Sequence, residues 1–313
     1  MNQYDIIGDI HAHADILQTL LEKLGYHQQN GYYQHPARKA VFLGDFIDNG
    51  RQNRRAIELV KPMVEQQAAY AILGNHEYNA ICFHTYGTDG KTPLRAHSQK
   101  NIQQHQFFLR EYHSHPQEQK EVIDWFKTLP LFLELDEFRA IHACWYQPIL
   151  DQMKDYLDDR DCLTEATLIA SADKEADTFA YRAIETLLKG PEIDSPVGYS
   201  FLDSHGNQLQ QIRLRWWNAS GQTYRDLAEV REDIKPQIPA HRVQVGQDYS
   251  YLVDQPPVFF GHYWQTENNA TVDGNVVCLD WSVARGGHLA AYCWDGNSSL
   301  SRDQILSVPS LLY

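Results

Sequence analysis

Five short apolar runs, at residues 4–7, 41–43, 69–73, 138–141 and 258–260, are each followed by polar side chains of one chemical kind. Asp9 and His11 follow the first, Asp45 and Asp48 the second, Asn75 and His76 the third, His142 the fourth and His262 the fifth. Only oxygen and nitrogen donors occur, without a thiolate, which is the ligand set of borderline divalent ions such as Mn, Fe or Zn. Asp9, His11, Asp45, Asn75, His142 and His262 are more donors than one open catalytic ion uses. Two ions are therefore expected, with Asp45 as bridge, Asp9 and His11 on one ion, and Asn75, His142 and His262 on the other. A hydroxide shared by two such ions is a nucleophile at neutral pH.

These donors need strand ends that meet. Ile16, Leu17, Leu20, Leu21 and Leu24 recur at helical spacing and stop at Gly25, and Ile57, Leu59, Val60 and Val64 predict a second helix bent at Pro62. Strand, helix, strand implies a largely parallel α/β sheet whose strand ends converge on one crevice. Residues 95–128 read as helical, 131–135 and 138–141 as a strand pair, and 146–190 as an acidic helical stretch that Lys189-Gly190-Pro191 stops. A hairpin is expected from 200–203 to 211–217 across His205-Gly206-Asn207, with Arg213 and Arg215 on one face. Residues 276–279 and 289–293 read as a closing hairpin around Gly286-Gly287, and 218–256 show no periodicity. The organisation expected is a single domain over 1–313, with a core of 1–145 and 256–313 and a cap-like insert at about 146–255.

With 313 residues, 43% hydrophobic and 22% charged, the chain suits one large globular domain or a core with an insert. Lys plus Arg number 27 against 41 Asp plus Glu, a net charge of −14 that repels nucleic-acid polymers and anionic membranes. A small anionic group would need strong local positive charge, which bound metal ions supply. No apolar span long enough to cross a membrane and no leader pattern are visible, and five cysteines without a C-x-x-C pair fit a reducing cytoplasm.

A single Asp or His after a strand is commonly a turn former, so no one motif decides the matter. Their joint occurrence in order does. Gly8-Asp9-Ile10-His11, Gly44-Asp45-Phe46-Ile47-Asp48-Asn49-Gly50, Gly74-Asn75-His76-Glu77, Ile141-His142-Ala143 and Gly261-His262 resemble the calcineurin-like metallophosphoesterases. The likeness is to the bacterial type of the phosphoprotein phosphatase (serine/threonine/tyrosine) branch and spans residues 4–83, 138–145 and 258–293. It implies an α/β fold, a four-layer α-β-β-α sandwich of two mixed β-sheets with a helical and hairpin insert. It also implies a binuclear centre, manganese first and iron or zinc next, and a metal-dependent phosphoric ester hydrolase. By the same resemblance His76 held by Asp48 is the general-acid pair; the plainer reading is a histidine that only orients ligands.

Three positions depart from the pattern. Gly261-His262-Tyr263-Trp264 lacks the second histidine of many relatives, Asn49 stands where the branch has a phosphate-clamping arginine, and Ala12 replaces a glycine. Arg51, Arg213 and Arg215 are the candidate phosphate contacts, since a guanidinium fork matches phosphate geometry. His13 reads either as a substrate contact or as a helix-start residue, Tyr263 and Trp264 as pocket wall or core, and Cys144 as a buried apolar residue. The leading expectation is hydrolysis of phosphomonoesters on proteins. A dinucleoside polyphosphate hydrolase is the alternative, and a non-catalytic binding protein a further one that the intact ligand set disfavours. The expected partner is thus a phosphorylated protein or small phosphoester.

Overall fold

The apolar runs before the Gly-Asp and Gly-Asn steps are strands buried on both faces, which is why they read as continuous rather than alternating. The computed structural model describes residues 3–135, 137–196, 199, 201–202, 208–209, 211–218, 221–230, 234–243, 248–296 and 299–310. The chain starts with β1 (Gln3–Ile7), α1 (Ala14–Lys23), a small β2 (His27–Gln29)/β3 (Tyr32–Gln34) ribbon and β4 (Arg38–Phe42). It continues through α2 (Asn53–Glu65), β5 (Ala69–Ala71) and α3 (Asn75–His84). Helix α2 contains Pro62 without ending there.

Helices α4 (Gln99–Gln104), α5 (Gln106–Tyr112) and α6 (Pro116–Phe126) fill the next stretch, before the antiparallel pair β6 (Phe132–Glu134) and β7 (Arg139–Ile141). Then follow α7 (Gln147–Met153), α8 (Glu165–Ala172), α9 (Phe179–Lys189), β8 (Glu192–Asp194), β9 (Phe201–Leu202), β10 (Gln208–Leu209), β11 (Gln211–Arg213) and α10 (Tyr224–Leu227). The chain closes with β12 (Val258–Phe260), β13 (Val272–Asp273), β14 (Val276–Cys278), β15 (His288–Trp294) and β16 (Ile305–Pro309).

Two mixed five-stranded sheets result, in the orders β16-β15-β1-β4-β5 and β13-β14-β12-β7-β6. The period of two sorts their side chains into layers. Ile6 and Val41 of the first sheet share one apolar cluster with Ala140, Phe259 and Val277 of the second. Across that seam Tyr4 meets Phe138 edge-on at 5.3 Å and Phe259 lies 5.0 Å from Tyr292. Ile7 and Phe42 belong instead to the cluster holding Leu17 and Leu20 of α1 and Val60 of α2, while Phe260 and Ile141 belong with Leu187 and Leu188 of α9. Helix, sheet, sheet, helix is the four-layer arrangement expected.

Two expected hairpins turn out differently. Residues 276–279 and 289–293 do not pair as strands: β14 runs parallel to β12 in the second sheet, whereas β15 lies between β1 and β16 in the first. Hydrophobic alternation marks both as buried strands but carries no information on which sheet takes them. In the other case β11 pairs antiparallel with β8, and β9 pairs with β10. The His205-Gly206-Asn207 turn lies outside the described residues. Strands β7 and β12 are parallel neighbours, so residues 146–255 all lie between two adjacent strands of one sheet.

Candidate metal centre

The site is built where β1, β4, β5, β7 and β12 end. The loops after β1 and β4 are tied together by Ile10 and His11 N–H groups donating to the Asp45 carbonyl at 3.1 and 2.8 Å, and Ala12 N–H to that of Phe46 at 2.8 Å. His11, Ala12, Asp45, Asp48, Asn49 and His262 all have φ between 46° and 66°. Left-handed conformations cost non-glycine residues on the order of 1–3 kcal/mol each and persist where the surroundings enforce them. Two motif glycines serve close approach: a Cβ on Gly74 would sit 2.3 Å from the Asp45 nitrogen, and one on Gly261 2.0 Å from Asp9 Oδ1.

The donors converge in two groups that share Asp45. His11, Asp45 and His76 form one and Asp45, His142 and His262 the other, with ligand atoms within 4.8 Å of one another in each. Asp45 Oδ2 lies 3.7 Å from His11 Nε2, and Asp45 Oδ1 lies 3.4 Å from His142 Nε2. Asn75 Oδ1 is 2.9 Å from His142 Nε2 and 2.7 Å from His262 Nδ1. Asp9 stands at the edge of the first group, its Oδ2 4.0 Å from His11 Nε2, and accepts from the His262 N–H.

The donor chemistry fits cations. His142 donates its Nδ1–H to the Leu43 carbonyl at 2.7 Å, so in the neutral ring Nε2 is a bare lone pair facing two oxygens. Lone pair against lone pair is repulsive until a positive ion stands between them. His262 Nε2 is buried without a hydrogen-bond partner. Burial lowers the pKa of His142 and His262, and that of His11 to about 4, so all three rings are neutral and ready to ligate. Burial acts to raise Asp45, but His142, His76 and His11 outweigh it and keep the carboxyl below its usual range.

His76 has a different environment. Its Nδ1 lies 2.8 Å from Asp48 Oδ2 and its Nε2 3.9 Å from Asp45 Oδ2. Burial acts against its charge, yet Asp45 and Asp48 raise it to about 9. Asp48 feels burial first, but His105 and then His76 hold its carboxyl below the usual range. The site therefore holds neutral imidazoles beside one that carries a proton at neutral pH.

The candidate arginines separate. Arg213, at the end of β11, lines a cavity of about 350 Å³ together with Asp48, Asn75, His76 and His262. Arg215 lies past that strand's end and is held by Glu229 at 2.5 Å. Arg51 is exposed, with its guanidinium over the Phe107 ring at 5.2 Å. Neither lines that cavity. Asn49, in the clamp position, places Nδ2 3.2 Å from His11 Nδ1. His13 precedes α1 and turns Nδ1 to the His11 carbonyl at 2.7 Å; Tyr263 is buried, Trp264 is half-exposed and Cys144 is buried.

Three contributors escaped the sequence reading. Glu77, inside the motif but without an assigned role, accepts from the N–H groups of Asp45 at 2.7 Å, Phe46 at 2.8 Å and Gly74 at 3.2 Å. His105 bonds Asp48 from α4's end, 57 residues away, with no sequence signal to reveal it. Asp280 is buried, and burial first, then Asp45, pushes it up to about 7 against the Ser282 N–H bond that opposes the shift.

The calcineurin-like phosphoesterase pattern matches residues 4–272, and the chain belongs to that family, which uses a binuclear divalent metal centre. It is 45% identical over 75 residues to the bis(5'-nucleosyl)-tetraphosphatase PrpE of Halalkalibacterium halodurans, covering 24% of this chain and 30% of that protein. With the same enzyme of Oceanobacillus iheyensis it shares 34% over 145 residues, 44% of this chain and 54% of that one. The chain thus spans about half or less of the length of these curated relatives. In fold it is similar to a cold-active protein tyrosine phosphatase, with a TM-score of 0.51 at 16% identity over 95% of this chain and 78% of that one. No helix among the described residues is long and apolar enough to cross a membrane.

Proposed function

We propose that the protein is a two-metal phosphohydrolase that cleaves the polyphosphate chain of dinucleoside polyphosphates. The observation that carries the two-metal reading is Asp45, whose two oxygens face separate groups of donors. The leading expectation of phosphoprotein substrates yields to the nucleotide alternative. The curated relatives are named as tetraphosphatases, while the protein phosphatase at 16% identity speaks only for the fold.

In this reading Asp9, His11 and Asp45 hold one ion and Asp45, Asn75, His142 and His262 the other, with manganese preferred. Such ions neutralise phosphoryl charge and furnish a water-derived nucleophile at neutral pH. Arg213 offers the substrate a guanidinium from the cavity wall. His76, protonated and oriented by Asp48, gives its proton to the departing oxygen. Residues 146–255, taken as an insert between β7 and β12, bring Lys189 and Arg213 to the site.

The test compares diadenosine tetraphosphate, a phosphopeptide panel and p-nitrophenyl phosphate with added manganese, alongside metal analysis. The tetraphosphate should have the highest kcat/KM, and a higher value for phosphopeptides would reverse the substrate choice. Asp45→Asn should abolish metal-dependent hydrolysis of every substrate; a near-normal rate would remove the two-metal reading.

A further inference from the structure

The protein carries a net charge of −14, yet one wall beside the metal centre is cationic. Arg95, Lys100, Lys189 and Arg213 all line the 350 Å³ cavity that holds His76 and Asn75. A second cavity of about 530 Å³ shares Arg95, Lys100 and Lys189 with the first, so the two adjoin, and it adds Lys174. The opposing charges are few: Asp48, engaged by His76 and His105, borders the first cavity, Glu185, paired with Lys189, borders the second, and Glu192 pairs with Arg213 at 3.4 Å.

Three of the cations, Arg95, Lys100 and Lys174, are uncommitted to carboxylates among the described residues. Among the described residues Arg95 and Lys100 form no ion pair; Arg95 is instead fixed by Asn79 Oδ1 at 2.7 Å and Gln104 Oε1 at 2.9 Å. Neutral acceptors orient a guanidinium without cancelling its charge, which is the preparation an anion site requires. Arg213 keeps its Nε buried with no hydrogen-bond partner. Tyr78 and Tyr181 line the second cavity, giving it an aromatic contribution beyond the charges.

We propose that this second cavity is a subsite for the distal phosphates of an extended polyphosphate, with Arg95 and Lys100 as its specificity residues. The chain of phosphates leaves the metal centre past Arg213 and Lys189 and continues between Arg95 and Lys100. The proposal rests on the phosphohydrolase reading and deepens it: the substrate carries at least two further phosphates beyond the one under attack. A phosphomonoester reaches only the first cavity and gains nothing from the second.

The test uses the full chain as purified, with its metal, and the variants Arg95→Ala and Lys100→Glu. Lys100 is exposed on α4, so its reversal leaves the fold intact even if Arg95→Ala loosens the Asn79–Gln104 bracket. Calorimetric binding of inorganic tripolyphosphate should weaken about tenfold in each variant, and that of orthophosphate by a clearly smaller factor, because Arg95 and Lys100 also line the cavity at the metal centre. KM for diadenosine tetraphosphate should rise alike, with the KM of p-nitrophenyl phosphate rising less. Tripolyphosphate binding as tight in Lys100→Glu as in the parent, or no tighter than orthophosphate in the parent, overturns the subsite. A parent that binds tripolyphosphate in this charge-dependent way but does not hydrolyse the tetraphosphate leaves the subsite standing and removes the nucleotide-hydrolase reading.

Discussion

His105 Nδ1 lies 2.9 Å from Oδ1 of Asp48, the carboxylate whose other oxygen holds His76 at 2.8 Å. One buried carboxylate thus spans two imidazoles, and its orientation is set from both sides. Replacing His105 by Phe leaves a buried carboxylate oxygen without its donor, at a cost of about 1–3 kcal/mol. The expected result is a kcat about tenfold lower with metal content unchanged, read by turnover beside elemental analysis. Unchanged kcat would show that His76 alone suffices to hold Asp48.

The charge on His76 sets a pH window. Its folded pKa of about 9 exceeds the ordinary 6.5, so its attraction to Asp45 and its ion pair with Asp48 contribute stability that is fully present below pH 6.5. That contribution fades between 6.5 and about 9, where the unfolded chain has released the proton and the folded one still binds it. Denaturant midpoints of chelator-treated protein should fall across this interval, and His76→Asn should flatten that slope.

Glu77 is a brace rather than a reactant. Its carboxyl group accepts from four N–H groups at the turns carrying Asp45 and Asn75. Glu77→Ala orphans those donors inside the protein and should cost about 3 kcal/mol or more, together with a loss of bound metal. Thermal unfolding and metal analysis check both. Retained metal with normal stability would mean that the loops hold their left-handed residues without it.

The two arginines on and beyond β11 should part company. Arg213→Ala is expected to raise KM several-fold at constant metal content, because Arg213 borders the cavity with His76 and His262. Arg215→Ala should leave KM unchanged and lower stability by about 1–3 kcal/mol, since it strands the largely buried Glu229. Steady-state kinetics and denaturation separate the effects, and a KM change from Arg215 alone would exchange the two assignments.

The sequence by itself determined the strands that end in Asp9, Asp45, Asn75, His142 and His262, the helix between Ala14 and Lys23, and the donor chemistry. Local physics suffices for these, because a short apolar run broken by a polar residue, after glycine in four of the five cases, specifies a buried strand and a turn whatever lies elsewhere. Tertiary structure alone decided that β14 and β15 enter different sheets, that Arg213 faces the cavity while Arg215 meets Glu229, and that His105 reaches Asp48. Each of these is a choice between partners distant along the chain. A side chain's type states what it can bind, but which group it meets depends on how the layers stack, and no local pattern encodes that.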